Sequence, residues 1–348
     1  MSGRVRVAVL AGGRSSEHEI SIASAASVAA ALDPERYEVT TIGIGRDGRW
    51  ELPAAGQGAL SDGTVGALPE AGGGPGETLP VPLTSAPTPL GPVDVVLPIL
   101  HGPFGEDGTV QGLLELAAVP YVGSGVTASA LCMDKDLFKA VLRDRGIPVC
   151  RSVTLRPGDP VEHPFAYPVF VKPARLGSSV GISKVRAETE LAGAVELAFR
   201  HDDKVLVEEF QDGVEVECGV LGNCEPVASV DGEIVAHADW YDYAAKYDEG
   251  GMELVVPARI SEAAAERVRE LAVASFVATD CEGMARVDFF VRSDGEVVVN
   301  ELNTIPGFTA TSVYAKLFDA SGVPYAELLD RLVQLALERH ERRRSLHF

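Results

Sequence analysis

The sequence Met284-Ala-Arg-Val-Asp-Phe-Phe-Val-Arg292 is followed, after Ser293-Asp-Gly295, by a second apolar run, Glu296-Val-Val-Val-Asn-Glu301. Asp-Gly between two β-branched runs is typical of a β-hairpin with a two-residue turn. In that register Asp288 lies opposite Glu301. Side chains two apart on a strand project from one face. The two runs therefore predict antiparallel strands with acidic side chains gathered on one face.

A metal site is predicted on that face. The same register places Arg286 opposite Asn303, beside the pair formed by Asp288 and Glu301. Two opposed carboxylates, with Cβ atoms roughly 5 Å apart, repel unless a cation lies between them. Oxygen ligands suit Mg²⁺ or Mn²⁺, and Mg²⁺ held in this way usually also binds substrate phosphates. The alternative is a solvated hairpin face with ordinary surface acids.

Length and charge limit the class of protein. A chain of 348 residues is long enough for two or three domains. Its net charge of −21 argues against a nucleic-acid partner. That charge does not exclude ATP, because a few lysines in a cleft make a local positive site.

Cysteine use and hydropathy predict a cytoplasmic protein. The five cysteines are scattered and form no Cys-x-x-Cys pair, which favours reduced thiols over disulfides or zinc. No segment approaches the roughly 18 apolar residues of a membrane span. The apolar run Val7–Ala11 is too short for a signal peptide. We therefore expect no membrane partner.

The N-terminal region has the pattern of an α/β unit. Val5–Ala11 is a predicted strand that ends in a glycine turn, and Ser16 with Glu19 forms a capping box that predicts a helix start. Tyr37–Ile44 and Asp94–Leu100 are further predicted strands, so we expect a parallel, Rossmann-like sheet.

Residues 53–92 differ from their surroundings. This stretch contains eight prolines and nine glycines. So many helix and strand breakers predict a flexible surface insertion. A linker between independent domains is the alternative, which is disfavoured because strand-like sequence resumes directly afterwards.

A glycine- and serine-rich loop predicts a phosphate site. Lys172-Pro-Ala-Arg-Leu-Gly-Ser-Ser-Val-Gly181 joins two predicted strands, and its small residues let backbone N–H groups approach phosphate oxygens. The spacing is not that of a P-loop. A plain flexible hairpin is the alternative, and Lys172 beside the loop favours the phosphate site. Lys135 is a second candidate contact, although taken alone it has the pattern of a helix-surface lysine.

The next predicted strand ends in a candidate adenine edge. It runs from Lys204 into Glu208, Glu209 and Phe210. Backbone groups at such an end can face a base, and Glu215 can bind ribose hydroxyls. Two adjacent acids at a strand end are otherwise usually solvated.

Nine short motifs, in order along the chain, closely resemble the D-alanine–D-alanine ligase family of the ATP-grasp superfamily. They cover nearly the whole chain outside the insertion. The motifs are Gly12-Gly-Arg-Ser-Ser-Glu17, Leu100-His-Gly102, Gly105-Glu-Asp-Gly108, Met133-Asp-Lys135, Val171-Lys-Pro173, Gly177-Ser-Ser-Val-Gly181, Tyr241-Asp-Tyr-Ala-Ala-Lys-Tyr247, Arg286-Val-Asp288 and Asn300-Glu-Leu-Asn-Thr-Ile-Pro-Gly307.

The resemblance implies a fold of mixed α/β and α+β class. An N-terminal parallel-sheet lobe for substrate, residues 1–125, would contain the insertion. A two-lobed ATP-grasp domain would follow, with a central lobe at residues 126–208 and a C-terminal lobe at residues 209–348.

The resemblance also implies residue roles for ATP and for two Mg²⁺ or Mn²⁺ ions. Lys135 and Lys172 would contact the α- and β-phosphates, and Ser178 lies in a loop that closes over them. Asp288, Glu301 and Asn303 would hold the metals. The full set implied for the nucleotide is Lys135, Lys172, Ser178, Ser179, Glu208, Glu209, Phe210, Glu215, Lys246, Asn300 and Glu301.

For the amino-acid substrates, the resemblance implies that Glu17 binds the amine of the first D-alanine, hydrogen-bonded with Ser178 and Tyr247. Leaving a buried ammonium group unpaired would cost several kcal/mol. The other implied residues are His101 beside the first substrate, Arg286 and the Gly307 N–H at the oxyanion, and Ser312 and Val313 at the second D-alanine.

The implied activity is the ATP-dependent joining of two D-alanine molecules through a D-alanyl phosphate, for peptidoglycan precursor synthesis, by a homodimer. One rival is a ligase that uses D-lactate or D-serine as the second substrate. Tyr247 disfavours the D-lactate version. Other rivals are a ligase of the same superfamily with different substrates, and a nucleotide-binding regulatory module without catalysis.

Overall fold

The structure is a computed structural model that describes residues 3–51, 93–236 and 252–347. The insertion predicted at 53–92 lies outside the described residues, as do Lys246 and Tyr247. In chain order the elements are β1 Val5–Gly12, α1 His18–Ala31, β2 Tyr37–Ile44, β3 Trp50–Glu51, β4 Val95–Pro98, α2 Thr109–Leu116, α3 Val126–Met133, α4 Lys135–Asp144, β5 Ser152–Leu155, β6 Val169–Pro173, β7 Ser183–Val185, α5 Glu188–Phe199, β8 Val205–Glu209, β9 Gly213–Gly222, β10 Val227–Ala236, β11 Met252–Val255, α6 Glu262–Ala278, β12 Gly283–Arg292, β13 Val297–Asn303, α7 Val313–Ala320 and α8 Tyr325–Arg344.

The first sheet has the strand order β3-β2-β1-β4, with β1 parallel to both β2 and β4. Its central strand is apolar on both faces and buried, as expected for a parallel sheet covered on two sides. The predicted α/β unit is therefore confirmed.

The predicted capping box at the start of α1 is wrong. The helix begins at His18, and Glu17 occupies the N-cap position without a side-chain cap hydrogen bond. Glu19 instead accepts a hydrogen bond at 3.0 Å from Arg46 on the surface. The Glu17 carboxylate accepts a hydrogen bond from the Ser178 hydroxyl. This helix start is therefore arranged around a side chain of a distant segment.

Two antiparallel sheets follow. The second has the order β5-β8-β6-β7, and the third has the order β11-β10-β9-β12-β13. Each sheet has its own apolar cluster, one containing Val171 and Val207 and the other containing Val287 and Val299. The mixed α/β and α+β class is thus confirmed, while the proposed domain limits remain predictions.

Helix α8 returns to the first sheet. Leu328 and Leu332 of this helix share one core cluster with Val7 and Leu97. At its far end the buried Arg339 donates a hydrogen bond at 2.8 Å to the carbonyl of Tyr121, and another to a carbonyl two residues further on. The end of the chain therefore packs on its beginning.

The β12–β13 hairpin has the predicted register at the acidic residues and a different turn. Asp288 pairs with Glu301, as expected, but Phe289 pairs with Val299, so Asn300 is an extra residue that forms a β-bulge. The N–H of Arg292 donates to the carbonyl of Glu296, so the turn contains three residues. The expected two-residue turn is wrong, and the bulge compensates for the longer turn.

Candidate active site

A cavity of about 430 Å³ lies between the second and third sheets. Its walls are the strands β6, β8, β9, β12 and β13 and the loop after β6. Most of the residues predicted to contact the nucleotide line it: Lys135, Lys172, Ser179, Glu208, Glu209, Phe210, Glu215, Asn300 and Glu301. Asp288 lines it too, so the structure brings the predicted nucleotide and metal residues together.

A buried carboxylate between two lysines forms the inner wall of this cavity. Glu208 forms an ion pair of 2.6 Å with Lys172 and one of 2.8 Å with Lys139. Burial alone would raise the pKa of Glu208, but the two lysines outweigh burial and lower it. This cluster therefore holds two positive charges and one negative charge, so it favours contact with an anionic group.

Lys139 was missed by sequence reasoning. Its side chain is fully buried and also donates a hydrogen bond at 3.0 Å to the carbonyl of Asn300 in the bulge. The available signal was its spacing of four residues from Lys135, which puts both lysines on one face of α4.

An aromatic side chain lies at the mouth of the cavity. The ring of Phe210 stacks on that of Phe170 with centroids 6.2 Å apart, and the Lys184 ammonium lies 4.7 Å from the centre of the Phe210 ring. Glu209 pairs with the exposed side chain of Arg151. Of the two adjacent acids, only Glu208 is thus held in the interior.

The candidate metal ligands are close together and supply oxygen atoms. Asp288 is buried opposite Glu301, and the Asn303 amide donates at 3.0 Å to one oxygen of Asp288. Glu301 also lies 3.4 Å from the ammonium of Lys135. In the described parts of the chain no three His, Cys, Asp or Glu side chains form a group that could hold a metal ion. The donor set fits Mg²⁺ that takes its remaining ligands from phosphate oxygens and water.

The bulge explains how this set assembles. On a regular strand Asn300 and Glu301 would project from opposite faces. With Asn300 as the extra residue, both side chains line the cavity, while Val299 and Leu302 stay in the core beneath. β-Bulges beside active sites commonly redirect a side chain in this way.

Arg286 connects the metal ligands to the rest of the site. Its guanidinium donates at 2.7 Å and 2.8 Å to the two oxygens of Asp288 and lies 2.9 Å from Glu217. Burial would lower the pKa of Arg286, but Asp288 and Glu217 raise it well above its ordinary value. Arg286 is therefore a permanent, fixed cation.

Glu17 and Ser178 meet across two segments of the chain. Glu17 is buried, and its carboxylate accepts from the hydroxyl of Ser178. Ser178 and Ser179 have φ angles of +50° and +58°, in the left-handed region that costs non-glycine residues energy. Gly102 has a φ of +73°, which favours glycine, and a Cβ atom there would lie 2.8 Å from a Glu17 oxygen.

His101 and Glu106 lie next to this pair. Burial lowers the pKa of His101, so the imidazole is neutral, and its Nδ1 lies 3.1 Å from the carbonyl of Ile305. Burial and the Glu17 carboxylate raise the pKa of Glu106 to about 8. Glu106 was quoted in a motif but received no role from the sequence. Its position between two glycines, close to His101, was the only available signal.

The remaining predicted substrate residues lie at the start of α7. A Cβ at Gly307 would be 3.4 Å from the hydroxyl of Ser312, so these two residues are neighbours. Ser312 is the N-cap of the helix. Val313 packs in an apolar cluster with Ile234 and Leu317. None of these three residues lines the nucleotide cavity.

The chain matches known family models over most of its length. The family model described as D-ala D-ala ligase N-terminus matches residues 6–124, and the model described as D-ala D-ala ligase C-terminus matches residues 141–334. A curated D-alanine–D-alanine ligase A from Chromobacterium violaceum is 47% identical over 352 residues, covering 97% of this chain and 96% of the relative. This chain belongs to the D-alanine–D-alanine ligase family.

Solved structures agree with that family. The D-alanine–D-alanine ligase from Coxiella burnetii has a TM-score of 0.80 and 37% identity, and covers 99% of this chain and 97% of its own. The ligase from Bacillus anthracis complexed with ATP has a TM-score of 0.74 and 27% identity, with coverages of 97% and 99%. VanG D-Ala:D-Ser ligase from Enterococcus faecalis has a TM-score of 0.80 and 35% identity, with coverages of 96% and 100%.

The helices of this ligase family member were compared with the length and apolarity that a membrane span needs. Across the residues that the structure describes, every helix is too short or too polar to span a membrane.

Proposed function

We propose that the protein joins two D-alanine molecules to D-alanyl-D-alanine, with ATP converted to ADP and phosphate. The observation that carries this proposal is the buried Glu17 carboxylate that faces Ser178, next to a cavity lined by nucleotide-type residues. Glu17 supplies the ionic acceptor that a buried substrate ammonium group requires.

The first step activates a carboxylate. A carboxylate is a poor electrophile, so the γ-phosphoryl group of ATP moves to the first D-alanine and forms an acyl phosphate. Lys135 and Lys172 hold the phosphates by charge, and catalysis of such a transfer is mostly positioning and electrostatics. Asp288, Glu301 and Asn303 would hold Mg²⁺, which would neutralise phosphate charge when bound.

The second step forms the peptide bond. The neutral amine of the second D-alanine attacks the acyl phosphate, and the tetrahedral oxyanion lies near Arg286 and the Gly307 N–H. Arg286 suits this role because Asp288 and Glu217 hold its charge in place. Ser312 and Val313 contact the second substrate, and phosphate then leaves.

Water must be kept from the acyl phosphate, which it would otherwise hydrolyse. Ser178, in the loop after β6, closes one side of the pocket by its bond to Glu17. We assign Lys246 to the transferring phosphoryl group and Tyr247 to the Glu17–Ser178 pair. Both residues lie outside the described ranges.

The second candidate is a ligase with D-serine as second substrate, which the similarity to VanG favours. The two reactions share the nucleotide site, Glu17 and Arg286, and differ only at the second substrate. We further propose a homodimer in the cytoplasm whose product feeds peptidoglycan precursor synthesis.

Phosphate release tests the proposal. The purified chain is incubated with ATP, Mg²⁺ and, in turn, D-alanine, L-alanine, D-alanine with D-serine, and D-alanine with D-lactate. The expected result is one phosphate per D-alanyl-D-alanine, with no release from L-alanine. Mixed dipeptide in preference to D-alanyl-D-alanine would favour the second candidate. No release with any substrate, despite ATP binding, would refute the ligase proposal.

A further inference from the structure

The motif Gly105-Glu-Asp-Gly108 plays no part in the proposed reaction, yet its glutamate joins two segments of the site. One oxygen of Glu106 accepts a hydrogen bond at 2.7 Å from the N–H of Gly102, within its own loop. The other accepts at 3.2 Å from the N–H of Ile305, which is 199 residues further along the chain. A single carboxylate therefore bridges the first lobe and the segment that follows β13.

Ile305 is held from its other side as well. Its carbonyl lies 3.1 Å from Nδ1 of His101, which donates to it in the tautomer with hydrogen on Nδ1. Both polar backbone groups of this buried residue are thus bound by side chains of one loop, His101 to Glu106. The Ile305 backbone has little freedom to move relative to that loop.

Ile305 lies midway between two functional positions. Asn303, a candidate metal ligand, precedes it by two residues, and Gly307, the candidate oxyanion donor, follows it by two. Glu17 and Arg286, which face the substrate, both act electrostatically on Glu106. Small displacements of this segment would change the distance between the oxyanion donor and the first substrate.

The chemistry of Glu106 suits two N–H donors. Each oxygen of the carboxyl group can accept a hydrogen bond, and here each accepts one from a backbone N–H. A glutamine here would keep one accepting oxygen and would turn an NH₂ group toward the other N–H. The next residue, Asp107, differs because its carboxylate accepts from the N–H groups of Phe104 and Thr109, which are close to it in sequence.

We propose that Glu106 is a positioning residue for the ligation, which fixes the segment from Asn303 to Gly307 against the His101 loop. The inference rests on the proposed function for its effect on rate. Its structural part, restraint of Ile305 by Glu106, is independent of which amino acid is the substrate.

The test compares Glu106→Ala, Glu106→Gln and the matched control Asp107→Asn. For each variant we would measure kcat for dipeptide formation, the dissociation constant of ADP, and amide hydrogen exchange of peptides spanning residues 303–308. A misplacement of about 1 Å can lower a rate about 10²-fold. We expect Glu106→Ala to lower kcat by about 30- to 100-fold and to speed exchange in 303–308, with ADP affinity within about twofold of the wild type.

The kcat of Glu106→Gln should lie between those of Glu106→Ala and the wild type, lowered about 3- to 10-fold, because glutamine keeps one of the two bonds. Asp107→Asn should stay within about threefold of the wild type. A variant that loses its fold would lose ADP affinity as well as kcat. The ADP measurement therefore separates a positioning effect from instability. If Glu106→Ala does not fold, the same measurements on Glu106→Gln test the proposal.

Unchanged hydrogen exchange in 303–308 in the glutamine variant would overturn the inference, whatever the substrate. A kcat for that variant equal to that of Asp107→Asn would overturn the effect on rate. Wild-type protein that makes no dipeptide from D-alanine would instead refute the proposed function, and the exchange measurement would still test Glu106.

Discussion

The cavity proposed for the nucleotide and the pocket proposed for D-alanine are built differently. The nucleotide cavity is walled by paired strands, and its buried charges are held in ion pairs, as in the contacts of Glu208 with Lys172 and Lys139. The pocket proposed for D-alanine is assembled from loops and helix starts, where Glu17 and Ser178 are brought together from distant segments.

This difference separates two requirements of one reaction. A nucleotide can be bound by a rigid, strand-built site that is charged before the ligand arrives. Substrate choice depends on loops, which vary more readily than the scaffold that carries them. We therefore expect changes in the cavity wall to affect stability and ATP binding, and changes in the pocket to affect turnover.

The largest expected effect is on the cavity wall. Glu208→Gln would remove the carboxylate that forms ion pairs with the buried ammonium groups of Lys139 and Lys172. Breaking a buried ion pair in this way costs about 3–5 kcal/mol of folding free energy. Urea unfolding should show that loss, and ADP should stabilise the variant more than the wild type.

The control is Glu209→Gln, the neighbouring acid, whose partner Arg151 is exposed. Exposed pairs contribute about 0–1 kcal/mol, so this variant should unfold close to the wild-type midpoint. Equal losses in the two variants would contradict the contrast between inner and outer acids.

The next effect falls on turnover. Arg286→Ala removes the proposed oxyanion donor and should lower kcat by about 10²-fold or more. ADP affinity should change little, because Arg286 contacts Asp288 and Glu217 and not the phosphate lysines. Dipeptide formation is measured at saturating ATP and Mg²⁺, and near-normal turnover would remove Arg286 from the mechanism.

A smaller effect concerns the metal. Glu301→Gln removes one of the two candidate carboxylate ligands and should raise the Mg²⁺ concentration for half-maximal activity by roughly tenfold. The chain should stay folded, because Glu301 is partly exposed. An unchanged Mg²⁺ titration would count against the metal assignment.

The smallest expected effect is a pH dependence of stability. Because the pKa of Glu106 is raised from 4.5 to about 8, the folded state binds more protons than the unfolded state between these values. Its contribution to stability is therefore lost progressively as pH rises through that window. Urea midpoints at pH 5, 7 and 8.5 should fall less steeply for Glu106→Gln than for the wild type.

Glu17 and Arg286 act electrostatically on Glu106 and are present in both proteins, so the comparison isolates the effect of residue 106. Parallel pH profiles for the two proteins would show that Glu106 keeps an ordinary pKa.

Sequence reasoning worked well where local pattern and function coincide. The opposition of Asp288 and Glu301 followed from alternation along two strands, and the structure confirms it. The turn length did not follow, because Asp-Gly is compatible with more than one loop and the bulge at Asn300 has no sequence signature of its own. The unexpected third turn residue and the unexpected bulge offset each other, so the predicted pairing of Asp288 with Glu301 was correct.

Buried charges were the other difficulty. Lys139 and Glu106 were passed over because a charged residue taken alone is normally solvated. Only the folded chain shows that Glu208 and the Ile305 N–H lie within reach of them. The roles implied for Lys246 and Tyr247 stay predictions, since both lie outside the described ranges.

The bulge at Asn300 also bears on how this hairpin can change length. One extra residue is accommodated between Val299 and Glu301. The pairing register at the tip of the hairpin can therefore differ from the register at the acidic residues. Removing Asn300 would keep Asp288 paired with Glu301 and would delete the contacts of Asn300 with Lys172 and Lys139. A deletion at this point would therefore leave the paired acids facing each other.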